Sequence, residues 1–558
     1  MDNYLKKAVA SIYSEEDDFI IIGLTGRTGS GCTTAARILS APFDKIRHSL
    51  FSGETPDSSI QRKQKIILSR ARHVWKSFIH IQASSVISLI LKETKNEEIE
   101  KLFKSLEIDK EKINKVNSVK IRKPGKNSSL ETTVNFYTKT LIEKHTQIKE
   151  ILGKDFTKIY QEIGKRIRRS GAPTSETLAA DGFTNISHTI DKIIKEIRQK
   201  SKKDQTNKKT YIVIDAIRNQ FEATYFQDRY SSFYLLAISC PEEDRNSRLS
   251  RVGYSAPEIK KINEAEHTEK PIDFDNEDAY IKQDIASCLQ RADLYINNPN
   301  SKDKASEFFD LANQLITFVT LMIHPGLVTP SAIERCMQVA YTAKLNSGCI
   351  SRQVGAAITD DSFSIKAIGW NDVPEGQVPC SLRNRSDLLA GRDAQTYSTF
   401  ERSDTEFREH IRNTTIPLQN IWKETGRNLS YCFKSEFNRL KSKDNQVHTR
   451  SLHAEENAFL QIVKHGGVSI KGGKLFTTAS PCDLCSKKAY QLGIKEIYFI
   501  DPYPGIATTH TLMGGSKNPD LILFSGAIGR AFHNLYTPKL PYKDELATLS
   551  KYSTSLES

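Results

Sequence analysis

Three side chains of the types that bind zinc lie in two short segments near the end of the sequence. His453 begins the segment His-Ala-Glu, and Cys482 and Cys485 belong to the segment Pro-Cys-Asp-Leu-Cys. A structural zinc site is normally closed by four protein ligands, whereas a catalytic site keeps one position for water or substrate. Any fold of this chain must therefore bring the two segments together, and the three ligands predict a catalytic zinc site.

Glu455 follows His453 by two residues and is the candidate general acid and base. H-x-E followed by P-C-x-x-C is the signature of zinc nucleobase deaminases. In that chemistry zinc lowers the pKa of a bound water to about 7. The glutamate takes its proton, the hydroxide attacks C4 of cytosine, and protons pass to N3 and to the departing ammonia. The alternative is a structural zinc knuckle in which Glu455 is only an acid at a helix N-terminus.

The helical context favours the same chemistry. We expect His453 and Glu455 at the start of one helix, and Cys482 and Cys485 in the first turn of another. The positive end of a helix dipole stabilises the thiolates that a metal requires. The spacing therefore predicts a metal held between two helix N-termini.

The region of roughly residues 330–540 resembles the deoxycytidylate deaminase branch of the cytidine deaminase superfamily. The resemblance implies a central mixed sheet flanked by helices, in an α/β/α domain with zinc between two helix N-termini. It also implies that Asn371 lies near the sugar or phosphate of the nucleotide. Asp372 stands where that branch usually has glycine, which is a departure at the family's allosteric nucleotide pocket. The stretches that carry the resemblance are SGCISRQVGAAIT, IGWNDVPEGQVPC, LHAEENAFLQ and SPCDLCSKKAYQLGIKEIYF.

A second, structural zinc occurs in some members of that branch. Cys349, Cys380 and His448 lie where the ligands of such a site can gather. The alternative is that the cysteines are core thiols, because cysteine is among the most commonly buried residues. The sequence leaves both possibilities open.

The N-terminal part of the chain has the pattern of an α/β domain. The apolar stretch Phe19–Leu24 runs into a glycine-rich turn and then a helical pattern. Further strands are expected at Tyr211–Ile214 and Phe233–Ser239, and strands that alternate with helices predict a parallel sheet. A Lys/Glu-rich segment at about 84–197 is expected to be a helical insertion. We expect this domain to cover residues 1–322.

The turn after the first strand resembles a phosphate-binding P-loop. Residues 26–33 fit the P-loop spacing, except that Cys32 stands in place of the lysine. The backbone amides of the turn can still bind phosphate, and the Thr33 hydroxyl can still coordinate Mg²⁺. Without the lysine, however, the negative charge on a phosphoryl group during transfer is stabilised less than in a complete P-loop. We expect a nucleoside triphosphate, with Mg²⁺, to bind without turnover; competent phosphotransfer and a structural relic are the alternatives. The candidate nucleotide-binding residues are Gly26, Gly29, Ser30, Gly31, Cys32 and Thr33.

Two other features of this domain resemble kinases. Asp215 ends an apolar strand, as a Walker B acid does, and Arg245, Arg248 and Arg251 resemble the lid arginines of nucleoside monophosphate kinases. A P-loop kinase-like domain ahead of a deoxycytidylate deaminase domain resembles the bacterial anti-phage deoxycytidine nucleotide deaminases. The resemblance implies conversion of free dCTP, dCMP or both to dUTP and dUMP, which deprives a phage of a DNA precursor.

The domain boundary is expected at His324-Pro325-Gly326, which breaks any helix. The deaminase domain is then 323–545, with an insertion at about 382–449, and residues 546–558 form a polar tail. Two competing functions share the zinc motif: a nucleic-acid editing cytidine deaminase, and a nucleotide-salvage dCMP deaminase with a kinase-like regulatory domain. A non-enzymatic nucleotide or RNA sensor is disfavoured, because a vestigial site has no reason to keep Glu455.

Charge and composition limit the class of partner. The 558-residue chain has a formal net charge of +13, and such a field steers nucleotide phosphates or nucleic acid towards the protein. The basic runs Lys110–Lys126 and Lys165–Arg169 are expected to be solvated helical faces, with a regulatory RNA as the alternative. The nine cysteines lack the density of a disulfide scaffold. We therefore expect a cytoplasmic protein with no membrane span and no targeting signal. The resemblance to deoxycytidylate deaminases implies a homo-oligomer.

Overall fold

The computed structural model describes residues 18–553, apart from 49–54, 180–181, 205–208, 267–277, 302–305, 468, 501–506 and 508. The chain divides into two compact units. Unit 1 contains residues 1–330 and 525–558, and unit 2 contains residues 331–524.

The strands and helices, numbered along the chain, alternate in both units. The strands are Phe19–Thr25 (β1), Ile79–Gln82 (β2), Thr210–Asp215 (β3), Phe233–Ser239 (β4), Leu294–Asn297 (β5), Gly355–Thr359 (β6), Ile365–Trp370 (β7), Lys474–Thr477 (β8), Glu496–Phe499 (β9), Asp520–Leu523 (β10) and Gly526–Ala527 (β11). The helices of the first part are Cys32–Ser40 (α1), Ser59–Val74 (α2), Ala83–Glu93 (α3), Asn96–Ser105 (α4), Lys110–Ser118 (α5), Leu130–Asn135 (α6), Leu141–Leu152 (α7), Phe156–Ser170 (α8), Asn185–Lys203 (α9), Gln220–Arg229 (α10), Glu242–Arg251 (α11), Ala256–Glu266 (α12), Asp278–Ile281 (α13), Ile285–Gln290 (α14) and Phe309–Ile323 (α15). They are followed by Ala332–Lys344 (α16), Arg385–Ala390 (α17), Thr399–Ser403 (α18), Thr405–Thr415 (α19), Gln419–Thr425 (α20), Phe433–Leu440 (α21), Ala454–Lys464 (α22), Asp483–Gln491 (α23), Gly529–Tyr536 (α24) and Tyr542–Ser553 (α25).

The described part of unit 1 is built on a sheet with strand order β2-β3-β1-β4-β5-β11. The first five strands in this order pair in parallel, and β11 pairs antiparallel with β5. Strand β1 is buried along its whole length, as expected for a parallel strand that is covered on both faces. The glycine-rich turn leaves its carboxyl end, next to the end of β3, where Asp215 lies.

Helices fill the chain between β2 and β3. The segment expected to be helical, 84–197, corresponds to α3–α9, with short interruptions. Its amphipathic helices bury Ile, Leu and Val on one side; in α9, for example, Ile190, Ile194 and Ile197 are buried. Burial of this apolar stripe, rather than helix propensity alone, stabilises such helices in water.

Unit 2 has a mixed sheet with strand order β10-β9-β8-β6-β7. Strand β6 is antiparallel to β7 and β8, whereas β8, β9 and β10 are parallel. Two glycines show that helices α16 and α22 pack closely against opposite faces of this sheet. A Cβ on Gly355 would lie 2.0 Å from the carbonyl of Ala340 in α16, and one on Gly369 would lie 2.3 Å from that of Ala454 in α22. Because Gly369 pairs with Ala356, the neighbour of Gly355, the two glycines face opposite sides of the sheet.

The predicted insertion at 382–449 is helical and has its own small core. Helices α17–α21 lie in this segment, and Leu388, Tyr397, Phe407, Ile411 and Tyr431 form a separate buried cluster. The fully buried Arg383 forms an ion pair with Glu401 inside this segment. This region is therefore a folded subdomain and not an irregular loop.

The expected C-terminal limit of the deaminase domain differs from the structure. We expected residues 323–545 to form one domain, but residues 525–558 belong to unit 1. The reason is that β11 completes the sheet of unit 1 beside β5, and Ala531 and Leu535 of α24 are buried in its core. The described part of the predicted polar tail, 546–553, is the end of helix α25, and residues 554–558 lie outside the described residues.

Within the described ranges, no helix combines the length and the apolar character that a membrane crossing requires.

Candidate functional site

Two helix N-termini of unit 2 hold the predicted metal ligands. His453 is the N-cap residue of α22, and Cys482 is the N-cap residue of α23, with Cys485 in the first turn. Both cap residues have extended backbone dihedrals, so their side chains lie at the positive ends of the two helix dipoles. Helices α22 and α23 therefore begin at the two motifs, as the sequence predicts.

The distances from the His453 imidazole to the two thiols are close to those that a shared zinc ion requires. His453 Nδ1 lies 3.2 Å from Cys482 Sγ and 3.6 Å from Cys485 Sγ. Tetrahedral zinc, with bonds of about 2.0–2.3 Å, requires its donor atoms to lie about 3.3–3.8 Å apart. Among the described residues, these three form the group of histidine, cysteine and acidic side chains close enough to share one metal ion.

Glu455 lies beside these donors but makes a different contact. Its side chain is buried, and its Oε1 accepts a hydrogen bond of 3.1 Å from the Thr477 hydroxyl. Burial raises the pKa of Glu455, partly opposed by hydrogen bonds and by the nearby imidazole of His453. A carboxyl with a raised pKa accepts and returns protons near neutral pH more readily than an exposed one. Glu455 therefore suits proton transfer, and the sequence did not predict its partner Thr477 at the end of β8.

The pKa values of the two thiols are shifted in opposite directions. A hydrogen bond from Cys485 and the nearby imidazole of His453 lower the pKa of Cys482 to about 4. The same hydrogen bond, together with burial, raises the pKa of Cys485. The hydrogen bond with Cys482 is also the main reason that the pKa of His453 is raised. A thiolate thus forms readily at the N-cap of α23, where a metal ion needs it.

An ion pair links the two helices that carry the ligands. Glu456 of α22 contacts Lys488 of α23 through Oε1, and its Oε2 accepts a hydrogen bond of 3.4 Å from the backbone nitrogen of His453. The pKa of Glu456 is lowered by these contacts, although partial burial opposes the shift. Glu456 therefore orients the backbone at His453 while holding α23 against α22.

The side chain of Asn371, the predicted substrate-binding residue, forms hydrogen bonds with the backbone of the loop before β6. Its Oδ1 accepts a hydrogen bond of 2.6 Å from the backbone of Val354, and its Nδ2 donates one of 2.7 Å to the carbonyl of Arg352. These bonds brace the loop that enters β6. A contact with substrate would use the remaining Nδ2 hydrogen, and this contact remains a prediction. The next residue, Asp372, pairs through its backbone with Leu452, directly before His453.

The predicted second metal site is not assembled. Cys349, Cys380 and His448 do not form a metal-binding group among the described residues. The ring of His448 packs edge-on against Phe437 at a centroid distance of 4.8 Å. Burial raises the pKa of the Cys380 thiol, which makes it a neutral core side chain. The alternative of a core thiol therefore describes Cys380, whereas Cys349 is only partly buried.

The glycine-rich turn of unit 1 has P-loop features in its backbone. Gly31 is the N-cap residue of α1 with φ 115°, and Gly29 has φ 89°. These are left-handed conformations that L side chains rarely adopt, which explains the two glycines. Cys32 stands at the position where the P-loop spacing would place a lysine, and burial together with Asp215 raises the pKa of its thiol to about 12. Cys32 is therefore neutral and supplies no charge to a phosphate.

The predicted lid arginines contact the loop itself. Arg248 donates hydrogen bonds to the carbonyls of Gly29 and Ser30, and Arg245 donates one to that of Thr28. Arg245 is buried, and Arg251 is exposed at the C-terminal end of α11. Arginines that lie on a ligand as a lid would have their guanidinium groups directed to solvent or ligand. Arg245 and Arg248 instead fix the backbone of the turn, which corrects the prediction.

Asp215, the predicted Walker B acid, ends β3 at the position expected from the sequence. Its Oδ2 lies 3.4 Å from Nε2 of His80, which belongs to the neighbouring strand β2. Both side chains are largely buried. The sequence did not predict β2, because four residues are too few to establish a period.

Some of the basic side chains in each of the two clusters are paired with acids. In the run Lys165–Arg169, Arg168 is buried against Glu222 at 2.9 Å, and Arg166 lies 3.0 Å from Glu162. The run Lys110–Lys126 also forms ion pairs, namely Lys112 with Asp155, Lys115 with Glu111 and Lys123 with Glu93. These contacts favour solvated, ion-paired helical faces over a surface for RNA.

Comparison with known proteins identifies the region that contains the zinc ligands. Residues 330–501 match the family model of the cytidine and deoxycytidylate deaminase zinc-binding region. The deoxycytidylate deaminase of enterobacteria phage T2 is 28% identical over 177 residues, which are 30% of this chain and 78% of that protein. The phage T4 deoxycytidylate deaminase is 27% identical over 177 residues, which are 30% of this chain and 76% of that protein. The crystal structure of dCMP deaminase from cyanophage S-TIM5 is 21% identical, with a TM-score of 0.20, and the match covers 35% of this chain and 100% of that one.

The zinc-ligand geometry and the family match together define the class. The protein is a hydrolytic deaminase that acts on C–N bonds, with a zinc-binding region in unit 2. Its C-terminal region is a cytidine and deoxycytidylate deaminase domain, similar in sequence to deoxycytidylate deaminases.

Proposed function

We propose that unit 2 hydrolyses the exocyclic amine of a free deoxycytidine nucleotide, converting dCTP, dCMP or both to the uracil nucleotide and ammonia. The main support is the buried carboxylate of Glu455 beside the donors His453, Cys482 and Cys485. Three metal ligands leave room for water, and the carboxylate provides the proton transfers that replacement of an amine by an oxygen requires.

In this reaction the side chains of the chain have separate tasks. His453, Cys482 and Cys485 would hold zinc, which would act as a Lewis acid and lower the pKa of a bound water to about 7. Glu455 removes a proton from the attacking water and delivers protons to N3 of the base and to the leaving amine. Thr477 orients the Glu455 carboxylate through its hydrogen bond of 3.1 Å. Water and cytosine are consumed, and uracil and ammonia are produced, so no other reactant is needed.

The choice of a free nucleotide rests on the relatives and on charge. The similar phage proteins carry the name deoxycytidylate deaminase, which supports a deoxycytidine monophosphate as substrate. The net charge of +13 favours an anionic substrate. We propose Asn371 as a contact for the sugar or phosphate, through its remaining amide hydrogen. Action on dCTP and a role in depleting DNA precursors during phage infection rest on the resemblance of the two-domain arrangement alone.

Unit 1 is proposed to bind a nucleotide at its glycine-rich turn. The turn leaves the carboxyl end of a central parallel strand, where ligands bind in open α/β sheets, and Asp215 ends the neighbouring strand. The left-handed glycines preserve the shape of an anion-binding loop. A kinase-like domain that binds a nucleoside triphosphate with Mg²⁺ without transferring phosphate would regulate the deaminase. The proposed binding residues are Gly26, Gly29, Ser30, Gly31, Cys32 and Thr33.

We propose that the protein acts in the cytoplasm as a regulated homo-oligomer. The cysteine content supports a reducing cytoplasm, and a homo-oligomer is expected from the resemblance. Regulation by a nucleotide or by an RNA would restrain an activity that is toxic when unchecked.

The test is a substrate panel with the full-length, zinc-loaded protein. The panel contains dCTP, dCMP, deoxycytidine, CTP and dATP, together with single-stranded DNA and RNA oligonucleotides that contain cytosine. Chromatography and ammonia release should show turnover of dCTP, dCMP or both, and none with the Glu455→Gln protein as control. Turnover of oligonucleotides alone would replace the proposal with a nucleic-acid editing deaminase, and turnover of dCMP alone would favour nucleotide salvage.

A further inference from the structure

We infer that Glu266 occupies the anion-binding position of the glycine-rich turn, and that a phosphate-bearing ligand binds there by displacing this carboxylate. The inference rests on the proposed nucleotide binding by unit 1 and states how that binding is regulated. Glu266 is the last residue of α12 and is far from the turn in sequence.

The backbone of the turn already holds a carboxylate. The backbone nitrogen of Thr28 lies 3.1 Å from Oε1 and 3.2 Å from Oε2 of Glu266, and the Thr28 hydroxyl also donates to Oε1. Glu266 is only 4% exposed. In a P-loop the backbone N–H groups of the turn are the donors that cradle a phosphate. Thr28 lies within the turn, next to Gly29 of the proposed binding residues, so the Glu266 carboxylate takes one backbone donor of the turn and adds Thr28 to the groups that a phosphate would contact.

Guanidinium groups complete the environment of this carboxylate. Arg218 Nη1 donates a hydrogen bond of 3.0 Å to Glu266 Oε1 and one of 3.2 Å to the Thr28 hydroxyl. Arg27 Nε lies 3.9 Å from Glu266 Oε2. Arginine suits phosphate and carboxylate equally well, because both anions accept from its fork of N–H groups. These side chains can thus exchange one anion for the other without a new geometry.

Cys32 connects this ion pair to the missing lysine. Burial and the charge of Asp215 are the main reasons that the pKa of the Cys32 thiol is raised, and the charges of Arg218 and Glu266 act on it more weakly and in opposite directions. The neutral thiol supplies no charge, whereas Arg218 donates a 3.0 Å hydrogen bond to the carboxylate that a phosphate would replace. We therefore assign the charge-compensating role of the P-loop lysine to Arg218, with Glu266 as its partner until a ligand binds.

The need to displace Glu266 lowers the apparent affinity of the turn for its ligand. Apparent affinity falls in proportion to the fraction of protein in the competent state, here the fraction with Glu266 withdrawn. Removing the charge of Glu266 should therefore strengthen binding, although Glu266 makes favourable contacts in the structure. Ordinary P-loop binding predicts the opposite or no effect, because it has no role for this carboxylate.

The experiment measures binding of inorganic pyrophosphate and of ATP to full-length protein by calorimetry. Glu266→Gln keeps the size of the side chain and should increase affinity about tenfold or more. The matched control is Glu264→Gln, an exposed residue two positions earlier on α12, which should leave affinity unchanged. Adding Arg218→Ala to Glu266→Gln should remove the gain. A gain with both ligands identifies phosphate as the recognised group, and a gain with ATP alone identifies the nucleotide.

Each contrary result has a distinct meaning. If wild type binds these ligands and Glu266→Gln binds no better, the displacement is overturned while nucleotide binding stands. If neither protein binds either ligand, both proposals fail. If Glu266→Gln does not fold, amide hydrogen exchange of wild type decides: saturating ligand should speed exchange in α12 near Glu266, and unchanged or slower exchange there overturns the inference.

Discussion

The Thr477 hydroxyl donates a 3.1 Å hydrogen bond to the carboxylate of Glu455, joining the end of β8 to the start of α22. Both side chains are buried, so water does not compete for this contact. The bond fixes the orientation of the carboxylate that must reach the attacking water and the base. Thr477 is therefore a positioning residue, and its effect should be separable from metal binding.

Replacing Thr477 with valine should reduce kcat about tenfold or more while zinc content stays unchanged. Valine preserves the shape but removes the donor, leaving the carboxylate less well oriented, and positioning errors of this kind cost substantial rate. Steady-state kinetics with elemental analysis provide the measurement. Thr477→Ser, which restores the hydroxyl, should recover most of the activity; no recovery would assign the loss to packing.

Glu455→Gln should abolish turnover and leave zinc bound. The carboxylate moves protons and is not a ligand, so the amide removes the general acid and base without disturbing the metal site. Activity and metal content are measured on the same preparation. Retained turnover, or zinc lost in proportion to activity, would contradict the assigned role.

Cys482→Ser should remove both zinc and activity, because two remaining ligands hold the metal poorly. Wild type should contain one zinc per chain, since Cys349, Cys380 and His448 do not form a second group. Cys240→Ser, in unit 1 and remote in sequence from the ligands, is the control and should retain zinc. Two zinc ions per wild-type chain would restore the second site.

His145 should make unit 1 sensitive to acid. The imidazole is 4% exposed between the hydroxyls of Ser84 and Ser88, at 3.1 and 2.8 Å, and burial lowers its pKa to about 4. An unfolded histidine has a pKa of about 6.5, so the unfolded chain binds the extra proton first. The stabilisation from neutral His145 is complete above about pH 6.5 and is lost as the pH falls towards 4, which amounts to about 3 kcal/mol.

The measurement compares urea unfolding at pH 7.5 and pH 5.0. The His145→Gln protein should lose less stability between these pH values than wild type does. His73→Gln is the control, because His73 is exposed on α2 and should leave the acid sensitivity unchanged. An equal loss in all three proteins would assign the acid effect to other groups.

The parts of the site that sequence predicted are those that local pattern determines. His453 and Cys482 begin helices because each precedes an amphipathic segment, and Phe19–Thr25 is a buried strand because its apolar run is continuous. Thr477 and Glu266 were not predicted, because their partners are distant in sequence and no local period marks them. Strands β2 and β5 have only four residues each, too few to establish alternation.

The errors have the same origin. The lid arginines carried the expected spacing, but the spacing does not determine whether a guanidinium group turns to a ligand or to the backbone of the adjacent loop. The proposed second metal site depended on three residues meeting in space, and Cys349, Cys380 and His448 form no such group among the described residues. The domain limit failed because a two-residue strand, β11, leaves almost no trace in the sequence.

The return of the chain to unit 1 has a practical consequence for dissecting the protein. A polypeptide that stops at residue 330 would lack β11, leaving the backbone of β5 open to pairing with other molecules, and would lose Leu535 from its core. Such a fragment should aggregate even though it contains the whole glycine-rich turn. The backbone nitrogen of Gly326 donates a 2.9 Å hydrogen bond to the carbonyl of Leu535, so the end of the first segment of unit 1 contacts α24 of the second segment. Excising residues 331–524 and joining residue 330 to residue 525 through a flexible linker would keep both segments, and with them the complete sheet of unit 1, for ligand studies.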